Sequence, residues 1–594
     1  MNSIKKKGPK LPEKTPETEA WATAFFIENH LDFYTHPDHV STPEQIRFIV
    51  YTEKNERYYP CSDRMFEAIM NKNKSEFIQE KYHETLDKIL SLIDDQIEDE
   101  KEKAYLKSLI KIKFNHETRD EMMIPSRLEK RLLGIFLNRT QIEDPFICTK
   151  ARRNSRANRA LKSKALINAM NHGNISEQKN PPSTLSGMRE TLNYLEIKRL
   201  ISLSVENSLW ESDKAVNYTK KDYLDFFNRC LTGNGVEPIF DFLRTNNNED
   251  TFQPKKILWL ADEAGEVMID LALINYLANL GHKIIVSFKE GPTFTKIDYC
   301  DAVEDEMISN KLRGALFVPG KKLGKNKLAD ILKSDKNIIV ISDGTRENLN
   351  FLLASTAFAR IFKEVDGVIS RGKDQRRRFF DSHFQFTQNI YSISAGDKDS
   401  VLISFKPKHP AVIKFSHAGL EKKAKTIIDK MKDSREKGMK VIFYSGIIGS
   451  IPGKIELAKK IMSVSIGLLK EQFAMTFIIN PAEYYEKGMD ADDLMYMWEI
   501  VQRSGFIDIW RFQTYEDIIQ AFQIMNKKVQ PEWIGKDATF STGCTKEMKI
   551  ALEVQEKYPE MQITGPPRER FMRRKEYGIG KMYDKRLSEI CRQQ

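Results

Sequence analysis

Apolar positions along this chain fall into two regimes. Up to about residue 207 they recur at helical spacing among Lys, Glu and Asp, as in Phe66–Ile97, and convincing strand pairs are absent. From Lys256 onward short continuous apolar runs alternate with helical segments. Lys256–Ala261, Lys283–Phe288, Ala315–Val318, Asn337–Ile341, Gly367–Ser370 and Val401–Phe405 read as strands. Runs of this kind are what a parallel sheet buried on both faces requires, and alternation with helices predicts a doubly wound fold. After the break Lys406–Pro410 (KPKHP) a second series begins. It runs helix Ala418–Glu436, strand Met439–Tyr444, helix Lys454–Glu471, strand Ala474–Ile479, helix Ala491–Ser504, strand Ile507–Arg511 and helix Thr514–Met525. The predicted class is therefore α/β, with a helical N-terminal domain, a central Rossmann-like doubly wound parallel sheet and a second C-terminal α/β domain. The expected boundaries are a disordered tail over 1–16, helices over 17–210, the first α/β domain over 211–409 and the second over 410–594, ending in a basic helical tail. Polar stretches at Asn171–Ser186 and Arg244–Pro254 read as loops.

Composition narrows the function classes. With 594 residues, 41% hydrophobic and 30% charged, the chain is too long for one core and ordinary for a globular protein. No apolar run approaches the roughly 20 residues of a membrane span, and the basic start is not followed by an apolar segment. The expected compartment is the cytoplasm, with no membrane partner. Six cysteines without a CxxC pair argue against a disulfide framework or a structural zinc site. The net charge of +10 concentrates at Lys150–Lys164, Arg376–Arg378 and Arg568–Lys575. Such clusters hold phosphates or, more often, form solvated faces.

Candidate chemistry centres on Ile257–Ala302. Asp262, Glu263, Gly265 and Glu266 follow a buried strand at its carboxyl end, where open α/β sheets collect ligands. Oxygen donors gathered there suit hard divalent cations. The competing reading makes Asp262 a cap for the helix that starts near Gly265, makes Asp298 and Asp301 caps for the helix entered at Ala302, and makes Asp343-Gly344 an ordinary turn.

The order of these pieces resembles the damage-control phosphatase family, the ARMT1-like metal-binding domain. The resemblance lies in the strand ending Asp262, Glu263, Ala264, Gly265, Glu266, in Lys289 to Pro292 after the second strand, and in Asp301 downstream. It continues through Ser342-Asp343-Gly344 to the buried strand ending Arg371-Gly372, and so covers Ile257 to Ala395. It implies a helical region beside a Rossmann-like core and divalent-metal-dependent hydrolysis of a small phosphorylated metabolite, with Mg, Mn, Co or Ni as the cofactor. Carried over residue by residue, it makes Asp262, Glu263, Asp298 and Asp301 the metal ligands and Asp262 and Arg371 the catalytic residues. Lys289, Asp343, Arg371 and Lys373 become the substrate contacts.

Departures are as specific. The family's Asn after the first Asp is Glu263 here, its Lys-Gly lysine is Arg371, and a gapless match puts Thr295 and Lys296 where the family has its second polar residue and metal-binding Asp. A protonated lysine cannot ligate a cation. A two-residue shift would bring Asp298 to that place. The leading expectation is the phosphatase; one alternative is a catalytically inactive relative with Lys296 standing in for the metal, acting as a ligand-binding or regulatory module. A nucleotide or nucleic-acid binding protein using the Lys150 stretch and the C-terminal arginines is the other, less favoured reading. Oligomeric state is not legible. In the second α/β segment Tyr444–Lys454 (YSGIIGSIPGK) misses the Walker spacing, and Phe540–Lys546 (FSTGCTK) places Cys544 in a turn where its thiol pKa would fall, without an identifiable partner histidine.

Overall fold

The computed structural model describes residues 8–31, 48–52, 56–72, 75–172, 184–243, 254–320, 323–397, 399–451 and 454–576. It divides into two compact units, Met1–Val412 and Ile413–Gln594. The polar stretch Arg244–Pro254 lies almost wholly outside the described residues, as does most of Asn171–Ser186.

The first unit has ten strands among the described residues: β1 (Ile49–Val50), β2 (Leu231–Thr232), β3 (Lys256–Leu260), β4 (Lys283–Phe288), β5 (Leu316–Phe317), β6 (Ile338–Ser342), β7 (Gly367–Arg371), β8 (Gln385–Phe386), β9 (Ile390–Ala395) and β10 (Val401–Lys406). Eight of them form one sheet in the order β2-β10-β9-β7-β3-β4-β6-β5. Every neighbouring pair is parallel except β9 and β10, and β1 pairs with β8 apart from the sheet. β3 sits in the middle, with its successor β4 on one side and β7 on the other. The chain thus reverses direction across β3, and its carboxyl end is the switch point.

The apolar strand runs bury side chains alternately to two faces. Leu258, Leu260, Ile285 and Val368 point into one core, and Ile257, Trp259, Ile284 and Ile369 into the other. The N-terminal helices share these cores instead of enclosing one of their own. Side chains from Phe25 to Phe136 cover the first face, and those from Ala157 to Leu243 cover the second, together with the Glu266–Asn279 helix. The boundary expected at residues 210 and 211 therefore falls inside one compact unit, because a sheet with two apolar faces needs both layers of helix.

Among the described residues the second unit carries four parallel strands, β11 (Lys440–Ser445), β12 (Thr476–Ile479), β13 (Ile509–Phe512) and β14 (Gln562–Thr564), in the order β12-β11-β13-β14. Its first three strands and the helices His417–Glu436, Ile455–Gln472, Ala491–Gln502 and Tyr515–Ile524 fall where the apolar alternation places them. After β14 the Arg568–Glu576 helix is the last described element.

Candidate functional site

The strand-exit groups converge at the carboxyl end of β3. Backbone pairing explains how. Ala264 N donates to Thr295 O at 2.9 Å and Ile297 N to Asp262 O at 2.9 Å, so the 293–298 segment lies antiparallel to 262–264. That register delivers the Lys296 side chain to the carboxylates. Its Nζ hydrogen-bonds Asp262 Oδ1 and lies 3.3 Å from Glu263 Oε1. Glu263 also accepts from Thr295 Oγ1 at 2.6 Å and faces Arg153 Nη1 at 3.6 Å. Asp262 is only 4% exposed. Burial pushes its carboxyl up to about 6 against the pull of Lys296. Burial also opposes the charge on Lys296, but Asp262 and Glu263 outweigh it and hold the ammonium well above the usual lysine range.

A second ammonium fills the neighbouring acidic cluster. Asp144, Asp298 and Asp301 offer oxygens within 4.8 Å of one another, a spacing suited to a cation. Lys150 Nζ lies among them, 2.9 Å from Asp144, 2.6 Å from Asp301 and 3.6 Å from Asp298. Asp298 is the N-cap of the Tyr299–Glu304 helix and forms a capping box with Asp301, and its carboxylate pairs with Lys150. The shift that would make Asp298 the metal ligand beside Asp262 does not occur. Capping is the role these two aspartates take. Asp262, by contrast, is not a cap, since the Glu266–Asn279 helix is entered through Gly265 with no side-chain cap bond.

Arg371 was expected to face a substrate, and it does not. Its guanidinium is fully buried, with Nε 2.9 Å from both Asp270 oxygens, Nη1 donating to Ile393 O at 2.7 Å and Nη2 to Ser204 O at 2.6 Å. Nη2 also pairs with Glu266 Oε1 at 2.6 Å. A planar fork satisfies four acceptors at once where a lysine would reach fewer, which makes Arg371 the brace between β7 and the Glu266–Asn279 helix. The turn after it is sterically obligatory. Gly372 has φ +77°, and a Cβ there would come 2.2 Å from Asp262 Oδ2. Lys289 and Asp343 are likewise paired with each other, Nζ to Oδ2 at 2.9 Å, and Lys289 also donates to Glu347 O at 2.6 Å. Lys373 is exposed and joins none of these groups.

Asp144, Asn154 and Asp270 were missed by sequence reasoning, and Lys150 was read only as the start of a basic stretch. Asn154 ties the site together, its Oδ1 accepting from Gly265 N at 2.8 Å and its Nδ2 donating to Asp305 at 2.9 Å. The start of the Lys150–Lys164 stretch thus turns inward: Lys150 is 2% exposed, and Arg156 pairs with Asp213 at 2.6 Å. Asp270 did leave a signal. An aspartate four residues after Glu266 in an otherwise apolar helix is a buried charge, and such a charge demands a cationic partner.

In the second unit Cys544 corrects its expectation. Ser541 caps the Thr542–Lys557 helix, Cys544 Sγ lies 3.3 Å from Gly446 O, and burial together with Glu547 pushes the thiol well up rather than down. At the C-terminus Arg570 pairs with Asp537 at 2.8 Å and Arg568 with Glu569 at 3.0 Å.

The damage-control phosphatase ARMT1-like domain matches residues 68–423, more than half of the chain. The protein belongs to that family. Among solved structures, a DUF89 family protein from Pyrococcus horikoshii is 15% identical, with a TM-score of 0.37 over 54% of this chain and 96% of its own. No curated protein matches the sequence. The divalent cation that the family resemblance implies does not fit the donors at β3. One oxygen of each carboxylate there is taken up by Lys296, which a gapless match puts at the place of the family motif's ligating aspartate. No described helix is long and apolar enough to cross a membrane.

Proposed function

We propose that this chain is a catalytically inactive member of the damage-control phosphatase family, in which Lys296 supplies the positive charge that a divalent cation gives its enzymatic relatives, and that it acts as a ligand-binding or regulatory module. One observation carries the reading: the Lys296 ammonium lies between Asp262 and Glu263, hydrogen-bonded to the first and 3.3 Å from the second. A hydrolase of this type needs a Lewis acid to polarise the phosphoryl oxygens and orient water. An ammonium offers charge and hydrogen bonds but no open coordination position. The groups that would hold the ester are committed as well. Lys289 is held by Asp343, and Arg371 by Asp270 and Glu266. Lys150 within the Asp144, Asp298 and Asp301 cluster supports the same reading, since both acidic clusters are neutralised from inside the chain.

The test is a screen of sugar phosphates with Mg, Mn, Co and Ni on the full chain, beside calorimetric titration of each metal. The expected outcome is no metal-dependent phosphate release and no divalent binding that depends on Asp262. A Lys296→Asp variant, which restores a third carboxylate, should gain divalent binding. Metal-dependent turnover by the unaltered chain that is lost in Asp262→Ala would overturn the proposal.

A further inference from the structure

In the second unit β11 has its successor β12 on one side and β13 on the other, so the carboxyl end of β11 is the switch point of that sheet. The Thr542–Lys557 helix covers this exit. Ser541 caps its first turn, and Cys544 Sγ lies 3.3 Å from the carbonyl oxygen of Gly446, the first residue after the strand. The segment that carries the helix is peripheral. β14, which follows it, is a three-residue strand at the edge of the sheet and pairs with β13 alone among the described residues. A segment anchored so lightly can open while the rest of the sheet stays closed.

What ties the helix to the sheet is a buried carboxyl without a cation. Glu547, one turn after Cys544, is 9% exposed. Its Oε1 accepts from Gln502 Nε2 at 3.0 Å, and the Ser445 hydroxyl and the Cys544 thiol reach the same carboxyl. Ser445 Oγ accepts from Trp510 Nε1 at 2.9 Å, which leaves its own hydrogen for Glu547. The helix is thereby joined to β11, to β13 and to the end of the Ala491–Gln502 helix through neutral groups. Charged side chains on the surrounding elements are engaged with one another: Lys546 with Glu499 at 3.6 Å, Arg503 with Glu499 and Glu553 at 2.9 Å each, and Asp537 with Arg570 at 2.8 Å. Among the described residues none of these cations pairs with Glu547. A negative charge in such a place is left uncompensated, so the neutral acid is the form that fits. Burial accordingly pushes the carboxyl up to about 7, although its three donors pull it down.

We propose that the Thr542–Lys557 helix is a protonation-controlled cover over the exit of β11, held down on Ser445 and Gln502 while Glu547 is neutral and released, together with β14, when Glu547 ionises. The direction follows from linkage. The closed form holds the proton more tightly than an open form with the ordinary value of 4.5, so the stability of closure is complete below pH 4.5 and is lost as pH rises through 7. The groups involved all lie in the second unit, and the inference does not rest on the reading of Lys296.

The test uses the full chain and reads opening through Cys544, which is buried when the helix is down. Cys544 is labelled with a thiol reagent that reacts from pH 5 to pH 8, followed by mass spectrometry and normalised to the exposed Cys148. The Cys544 to Cys148 rate ratio should rise by about 50- to 100-fold over that range and level off near pH 8. In Glu547→Gln, which keeps the size and neutrality of the acid, it should stay within about threefold. Hydrogen exchange of the unaltered chain, corrected for intrinsic rates, gives a second measure that survives a failure of the variant to fold: peptides between Ser541 and Thr564 should follow the same pH dependence, and those spanning β12 should not. A ratio that stays flat in the unaltered chain, a rise that persists in Glu547→Gln, or equal acceleration of β12 overturns the assignment.

Discussion

Replacing Lys296 with methionine keeps the length of the side chain and removes its charge, leaving Asp262 and Glu263 facing each other without an ammonium. Asp262 is 4% exposed and cannot recover the lost interaction from water. Removing one partner of a buried pair typically costs about 3–5 kcal/mol, far more than the net worth of the intact pair, because a desolvated charge is left behind. The cost depends on pH in a defined direction. Asp262 already titrates at about 6 in the folded protein against 3.8 as its ordinary value, and without Lys296 it moves higher. A raised folded pKa means the folded state binds the proton first, so the variant loses stability as pH climbs through that window. The full penalty is expected at pH 8 and a reduced one at pH 5, where the carboxyl is protonated. With two compact units a single unfolding transition is not assured, so the assay is hydrogen exchange by mass spectrometry on peptides spanning β3 and β4. Exchange limited by opening of the first unit should accelerate by about two to four orders of magnitude at pH 8. Protection within threefold of the unaltered protein at that pH would refute the reasoning, since it would mean the ammonium carries no part of the site.

Two other expectations follow from the same geometry. Arg371→Lys should cost about 3–5 kcal/mol in hydrogen-exchange protection of β7, because one ammonium cannot satisfy Asp270, Glu266, Ile393 O and Ser204 O together. His383 is held between Asp63 at 3.0 Å and Glu56 at 3.3 Å; burial opposes its charge, but these carboxylates lift it to about 9. The raised value contributes stability that is complete below pH 6.5 and lost as pH rises towards 9, worth at most about 3 kcal/mol. A denaturation series over that range should show the slope in the unaltered protein and a flatter profile in His383→Gln.

Legibility in the sequence followed the range of the interactions involved. β4 falls where the apolar run puts it, and β3, β7 and β10 match within one residue. Their pattern is local and buried on both faces. β9 escaped notice because Ser392 and Ser394 break its apolar run, although both are buried in the sheet. β14 is three residues long and carries too little pattern to read. The capping pair Asp298 and Asp301 was readable as such, because a capping box is contained within four residues.

Apart from Lys296, which one reading of the sequence put in the place of a cation beside Asp262 and Glu263, the charge partners were not readable. Arg371 meets Asp270 across 101 positions and Lys150 meets Asp301 across 151. No periodicity carries information over such separations. The sequence by itself determined that carboxylates gather at the exit of a buried central strand, and it left Lys296 and Asp298 as the two candidates for the place of the family motif's ligand. Tertiary structure alone decided what neutralises those carboxylates. A helix from the N-terminal region and the antiparallel return of residues 293–298 bring ammonium groups into the acidic clusters. Burial then favours that pairing, because an unpartnered charge in the low-dielectric interior costs about 3–5 kcal/mol, a large share of a domain's stability.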